Sequence, residues 1–109
     1  MSEPKAISRL KSKITKENLW IYILRLLQER PHYGYEIKKE IKERFNFQPA
    51  MVSGYAIIYR LVKDGLVEAK ADPNSTRKYY EITPTGQKAM KEAKRILLET
   101  LNTVFDLTE

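Results

Sequence analysis

The residues best suited to chemistry in this chain lie between Pro49 and Gly65. Ala50, Met51, Ser53, Gly54 and Tyr55 are small, uncharged or aromatic, with no acid among them. A helix end built this way can come close to a polyanion. Read in isolation, the stretch also fits a core helix with a loosely specified start. Arg77 and Lys78 add two adjacent cations further along. Catalysis asks for other groups. Acid–base work needs positioned titratable residues whose pKa values can be shifted, whereas the acids here are spread along charged helix faces. The four glycines stand apart, so no phosphate-cradling loop is present. His32 is the only histidine and there is no cysteine, so no metal site is expected. His32 is read as a surface residue of a turn. No enzyme and no cofactor are expected.

The net charge of +6 points to nucleic acid or another anionic surface. At 109 residues the chain is one domain with room for a helical extension. The longest apolar run, Leu19 to Leu24, is far short of the ~20 residues that span a bilayer. The absence of cysteine suits a reducing compartment, so a soluble, cytoplasmic protein without membrane contact is expected.

The elements that must position these residues follow from periodicity. Residues 1–14 form a basic arm or short helix, with Lys5, Arg9, Lys11 and Lys13 against Glu3 and with Ile7, Leu10 and Ile14 at helical steps. A helix is expected from Thr15, its N-cap, to about Arg30, where Pro31 stops it. Its apolar residues cover most of its circumference, so Leu19, Trp20, Ile23 and Leu24 are assigned to a subunit interface. Pro31 to Gly34 reads as a turn, and Tyr35 to Phe45 as a second helix whose Ile37, Ile41 and Phe45 share a face. Asn46 to Gln48 turns into a third helix over about 49–64. Pro49 suits its first position and Gly65 the residue just past its end. Ile57, Ile58, Leu61 and Val62 hold that helix in the core.

After Gly65 the period changes to that of strands. Residues 66–71 and 77–83 flank a turn-rich 72–76, which makes a β-hairpin. Helix, turn, helix and hairpin is the order of a winged helix-turn-helix, here spanning 15–83, and it places the third helix where a recognition helix stands. The fold class is therefore mainly α with a small β-hairpin. Residues 84–109 open with Pro84 behind Thr83 or Thr85 as cap, and form a last helix of roughly twenty residues. Leu97, Leu101, Val104 and Phe105 give it more apolar surface than one small domain covers, so it is read as a dimerisation helix.

Three stretches resemble the PadR family of winged-helix transcriptional regulators. They are Pro31-His-Tyr-Gly-Tyr-Glu-Ile37, Tyr55-Ala-Ile-Ile-Tyr-Arg-Leu-Val-Lys-Asp-Gly-Leu-Val67 and Arg77-Lys-Tyr-Tyr-Glu-Ile-Thr-Pro-Thr-Gly86. The resemblance is to the compact branch, with a short terminal helix. It implies a homodimer on a pseudo-palindromic operator of double-stranded DNA, usually as a repressor. Recognition helices would enter adjacent major grooves and wings would touch the flanking backbone. The terminal helix would pair with the helix beginning near Leu19 in the other subunit. A small hydrophobic effector in the dimer pore is also implied, beside Trp20, for which an interface-core role is the simpler reading. Met51, Ser53 and Tyr55 would then meet bases or nearby phosphates, Gly54 would allow close backbone approach, Tyr35 and Lys39 would touch the backbone, and Arg77 and Lys78 would hold phosphates beside the wing. Val52 and Gly54 depart from the family pattern around Ser53, and Asn74-Ser75-Thr76 from its usual wing turn. A winged helix that docks protein, or a chromatin-type binder without operator specificity, stays open on these residues.

Overall fold

The computed structural model describes residues 3–49 and 51–108, without the side chains of residues 51–53. The chain runs through α1 (Lys5–Lys13), a single 3-10 turn (Lys16–Asn18), α2 (Leu19–Glu29), β1 (His32–Tyr33), α3 (Gly34–Phe45), α4 (Met51–Lys63), β2 (Val67–Ala71), β3 (Lys78–Ile82) and α5 (Pro84–Val104). The mainly helical class with a small antiparallel sheet and the winged helix-turn-helix order are as expected.

Helix α2 is the hub. It touches α3, α4, α5 and β3, and its Leu19, Ile23, Leu24, Leu26 and Leu27 are all buried. Ile37 and Ile41 from α3, Ile58 and Leu61 from α4 and Val67 from β2 complete this core. The assignment of Leu19, Ile23 and Leu24 to a subunit interface is thereby corrected. They are 3, 1 and 0% exposed within the single chain and have no surface left to offer a partner. The expectation assumed too few residues to surround α2, but helices and sheet wrap it from several sides. Trp20 is half-buried and packs against the same core.

Three boundaries differ from the sequence reading. Thr15 does not cap α2. Its hydroxyl donates backward to the Lys11 carbonyl at 2.6 Å, and the backbone breaks into the 3-10 turn before Leu19. Residues 31–34 are not only a turn, because His32 and Tyr33 form β1, pairing antiparallel with Tyr80 and Tyr79 of β3. A two-residue strand is too short to alternate visibly, and only its long-range partner defines it. Pro49 lies outside α4.

His32 is also corrected from surface to core, at 1% exposure. Its Nδ1 lies 2.8 Å from the Arg30 carbonyl oxygen, which only accepts, so Nδ1 carries a hydrogen. Its Nε2 faces Glu40 Oε2. The pair ties β1 to α3 beneath the surface.

The end of α4 is a Schellman motif. Gly65 takes φ +77°, its N–H donates to the Val62 carbonyl at 3.1 Å, and the Leu66 N–H donates to Leu61 at 3.0 Å. Val67 then pairs with Ile82, and the register runs on to Ala71 with Lys78. Thr83 joins three elements. Its N–H donates to the Leu66 carbonyl at 3.1 Å, its hydroxyl donates to the Gly65 carbonyl at 2.6 Å, and the same oxygen accepts from the Gly86 N–H at 3.0 Å to cap α5. Gly86 is buried here, and a Cβ on it would stand 2.3 Å from the Leu66 oxygen and 2.7 Å from Ile82 Cγ1. Backbone cannot yield as a flexible side chain can. Gly86→Ala should therefore destabilise the fold by about 1–3 kcal/mol, read as a lower urea midpoint at an unchanged slope.

Candidate nucleic-acid interface

The starts of α3 and α4 and the turn of the hairpin meet on one surface. Tyr33 ends β1, and Glu36 Oε1 accepts its N–H at 2.9 Å, which fixes the first turn of α3. That bond, aided by Arg30, holds the Glu36 carboxyl below its ordinary value. The Tyr33 ring stacks on Tyr35 with centroids 6.0 Å apart and planes 9° from parallel. The Arg77 guanidinium lies 5.3 Å from the Tyr35 ring centre. Tyr35, Arg77 and Lys78 are all exposed.

The second half of this surface comes from α4. The Tyr55 ring passes so close to Gly34 that a Cβ there would be 3.2 Å from Tyr55 Cε1. Lys38 Nζ sits 4.6 Å over the Tyr55 ring centre. One helical turn on, Lys63 stands 5.9 Å from the ring centre of Tyr59, which is exposed. Cations held on aromatic faces are attracted by the ring quadrupole and lose less freedom when a phosphate arrives.

Gly54 is corrected. It is buried, and the aliphatic stem of Lys38 covers it, with Cδ at 3.4 Å from a built Cβ. Its close neighbour is α3, and that packing accounts for its small size. The side chains of Met51 and Ser53, and all of Ala50, lie outside the described residues. Lys39 is exposed but shares a shallow cleft with Glu36, Glu40 and Glu43, whose charge offsets its own toward an anion. Lys38, Tyr59 and Lys63, which join cation and ring on this surface, were not among the residues singled out from the sequence. The signal was present in the sequence, because Tyr55, Tyr59 and Lys63 recur every four residues opposite Ile58 and Leu61.

The wing turn is pinned to this surface. The Tyr33 hydroxyl donates to Asp72 Oδ2 at 2.5 Å, the Asn74 N–H donates to Asp72 Oδ1 at 2.9 Å, and the Arg77 N–H donates to Ser75 Oγ at 3.1 Å. The Tyr33 hydroxyl, then the Asn74 N–H and the Arg77 charge, hold the Asp72 carboxyl below its ordinary range, and the same bond raises the Tyr33 hydroxyl.

The PadR-like transcriptional regulator family matches residues 23–92, well over half of the chain. The chain belongs to that family. A protein of Lysinibacillus sphaericus described only as uncharacterized is 39% identical over 88 residues, spanning 76% of this chain and 81% of its own. A transcriptional regulator from Clostridium thermocellum has a similar solved structure, with TM-score 0.75 and 29% identity over 85% of this chain and 95% of that one. A PadR-like transcription factor from Bacteroides fragilis superposes with TM-score 0.73 and 27% identity, covering 88% of this chain and 95% of that one. PadR-like membership and the winged helix support a role in DNA binding and transcription regulation. The family consists of non-catalytic regulators. Among the described residues no group of three or more His, Cys, Asp or Glu could hold a metal, and no helix is long and apolar enough to cross a membrane.

Two outcomes test the geometry. Gly54→Ala adds a Cβ at ordinary contact distance to a flexible stem and should stabilise the protein by roughly 0.5–1 kcal/mol, measured by thermal denaturation. A lower Tm would mean that the Lys38 stem cannot yield. A depressed carboxyl favours the folded form above the ordinary aspartate value of about 3.9 and loses that contribution as pH falls through its own lower value. In Tyr33→Phe the Asp72 carboxyl should titrate closer to the ordinary value, and an NMR titration that leaves it unmoved would refute the pinning bond.

Proposed function

We propose that the protein is a homodimeric, operator-specific regulator of transcription, acting as a repressor. The observation that carries this reading is the single surface on which Tyr35, Tyr55, Lys38, Arg77 and the wing turn meet. On this reading α4 enters the major groove. Met51, Ser53 and Tyr55 lie nearest the bases, Tyr35 and Lys38 meet the backbone, and Arg77 and Lys78 hold phosphates beside the wing. Lys39 plays a lesser part. Few of these side chains make bidentate base contacts, so much of the affinity is electrostatic and part of the specificity is indirect.

The dimer reading rests on α5. A helix of 21 residues is about 31 Å long, and every residue of α5 after Ala93 is exposed. The radius of gyration, 15.9 Å, exceeds the roughly 13 Å of a compact chain of this size. Leu97, Leu101, Val104 and Phe105 are 43–66% exposed. We assign residues 84–109 to dimerisation, with Trp20 and Ile21 as the part of α2 still able to contribute. The cleft of about 270 Å³ between Ile21 and the α5 residues Met90, Ala93, Leu97 and Leu101 is the place we assign to a small hydrophobic effector. Trp20 does not line it.

The test is equilibrium binding to a duplex operator recovered by genomic pull-down, across salt concentrations. Log K should fall linearly with log salt, at about −0.9 per phosphate neutralised. The Arg77→Ala/Lys78→Ala double variant should flatten that slope by about two. A folded dimer that binds no duplex at low salt would leave protein docking as the function.

A further inference from the structure

Burial divides α4 into two sides. Gly54, Ile58 and Leu61 are buried, and Ile57 and Val62 pack against the core. At about 3.6 residues per turn, Ala56, Tyr59 and Lys63 fall within an arc of about 60° on the far side, and all three are exposed. Tyr59 is 66% exposed, the most of the seven tyrosines. Tyr55 and Arg60 flank the arc and are exposed as well. The middle of the outward face is therefore a methyl group and an aromatic ring, with Lys63 Nζ 5.9 Å from the centre of that ring.

The side chains of this face narrow what it can read. From Tyr55 to Lys63 there are two cations and no acid, Asn, Gln, Ser or Thr. Adenine is recognised by the paired groups of an Asn or Gln amide, and cytosine by a carboxylate. Neither group stands on this face. The thymine C5-methyl is the apolar group that the major groove displays, and side chains such as Ala and Phe meet it. The Ala56 methyl and the Tyr59 ring are of that kind. Guanine would need Arg60, at the edge of the arc. A protein partner would cover the ring, but it would also bury Arg60 and Lys63, neither of which has an ion pair among the described residues. A duplex offers both needs at once, with methyl groups on the floor of the groove and phosphates along its walls.

We propose that Ala56 and Tyr59 read thymine C5-methyl groups in the major groove, so that thymine positions specify each half of the operator. This rests on the DNA-binding reading above and adds base contacts beyond Tyr55 along α4. The two residues are three apart, about 4.5 Å along the helix, against about 3.4 Å between successive bases of one strand. They meet thymines of neighbouring base pairs. Lys63 beyond them and Arg60 to one side are left for phosphates. Removing one methyl group from such a contact weakens binding roughly fourfold.

The test is a uracil scan of the operator recovered by genomic pull-down. Each thymine of one half-site is replaced in turn by deoxyuridine, which keeps the base pairing and removes only the methyl group. At one or two positions the dissociation constant should rise about three- to fivefold, and at the others it should hold. Tyr59→Ala should bind the thymine and uracil duplexes alike at the position that Tyr59 reads. Tyr59→Phe should keep the difference, because the ring makes the contact. Arg77→Ala/Lys78→Ala should weaken binding to both duplexes and leave their ratio unchanged. The urea midpoint of each variant checks that it folds. Salt-dependent binding that is equally tight on every uracil duplex overturns this proposal alone. So does a thymine–uracil difference that Tyr59→Ala leaves intact at every position. A loss that appears only when 7-deazaguanine replaces a guanine gives the readout to Arg60 and also overturns it. A folded protein that binds no duplex at low salt overturns the DNA-binding reading and this proposal with it.

Discussion

The backbone of α5 can approach the end of α4 only because residue 86 has no side chain. With the Leu66 oxygen 2.3 Å from where a Cβ would be, the first turn of α5 sits directly on the junction between α4 and the wing. Thr83 locks that contact with its N–H, its hydroxyl hydrogen and its hydroxyl oxygen. Gly65, in a left-handed conformation, turns the chain sharply enough for β2 to begin at once. The end of α4, the start of the wing and the direction of α5 are therefore set by one knot of backbone. The edge that faces DNA in the proposed function and the helix proposed to pair subunits share a rigid joint.

Around that joint the core is arranged on α2. Its apolar circumference is satisfied by neighbours in the same chain, which leaves α5 as the main source of unpaired apolar surface. Gln28 Nε2 donates to Gln87 Oε1 at 3.0 Å, fixing α5 against α2 near its start. Met90 packs on the core, and beyond Ala93 the helix leaves the body. The division is abrupt because only the first turns of α5 have something to lie on.

The candidate interface shows how a small basic domain preorganises its charge. Arg77 lies on Tyr35 and Lys38 on Tyr55, and the Asp72 carboxylate uses the Tyr33 hydroxyl to hold the turn from which Arg77 extends. Beneath it His32 and Glu40 join β1 to α3. On its other side the His32 ring is held by the Nδ1 bond to the Arg30 carbonyl.

The order of elements was legible in the sequence alone, because helix periods, strand alternation and the signals at Gly65, Thr83 and Pro84 are local. So was the candidate surface in outline, through Tyr35, Tyr55, Arg77 and Lys78. What the tertiary structure decided depends on partners distant in sequence. Leu19, Ile23 and Leu24 look like surplus apolar surface until α3, α4 and the sheet close over them. His32 looks like a turn residue until Tyr80 pairs with it across 48 positions. Gly54 looks like a site of ligand approach until the Lys38 stem is seen on it, and Gly86 carries no sequence mark of the carbonyl it must admit. Periodicity reports which face of an element is apolar, whereas only the packed chain shows what covers that face.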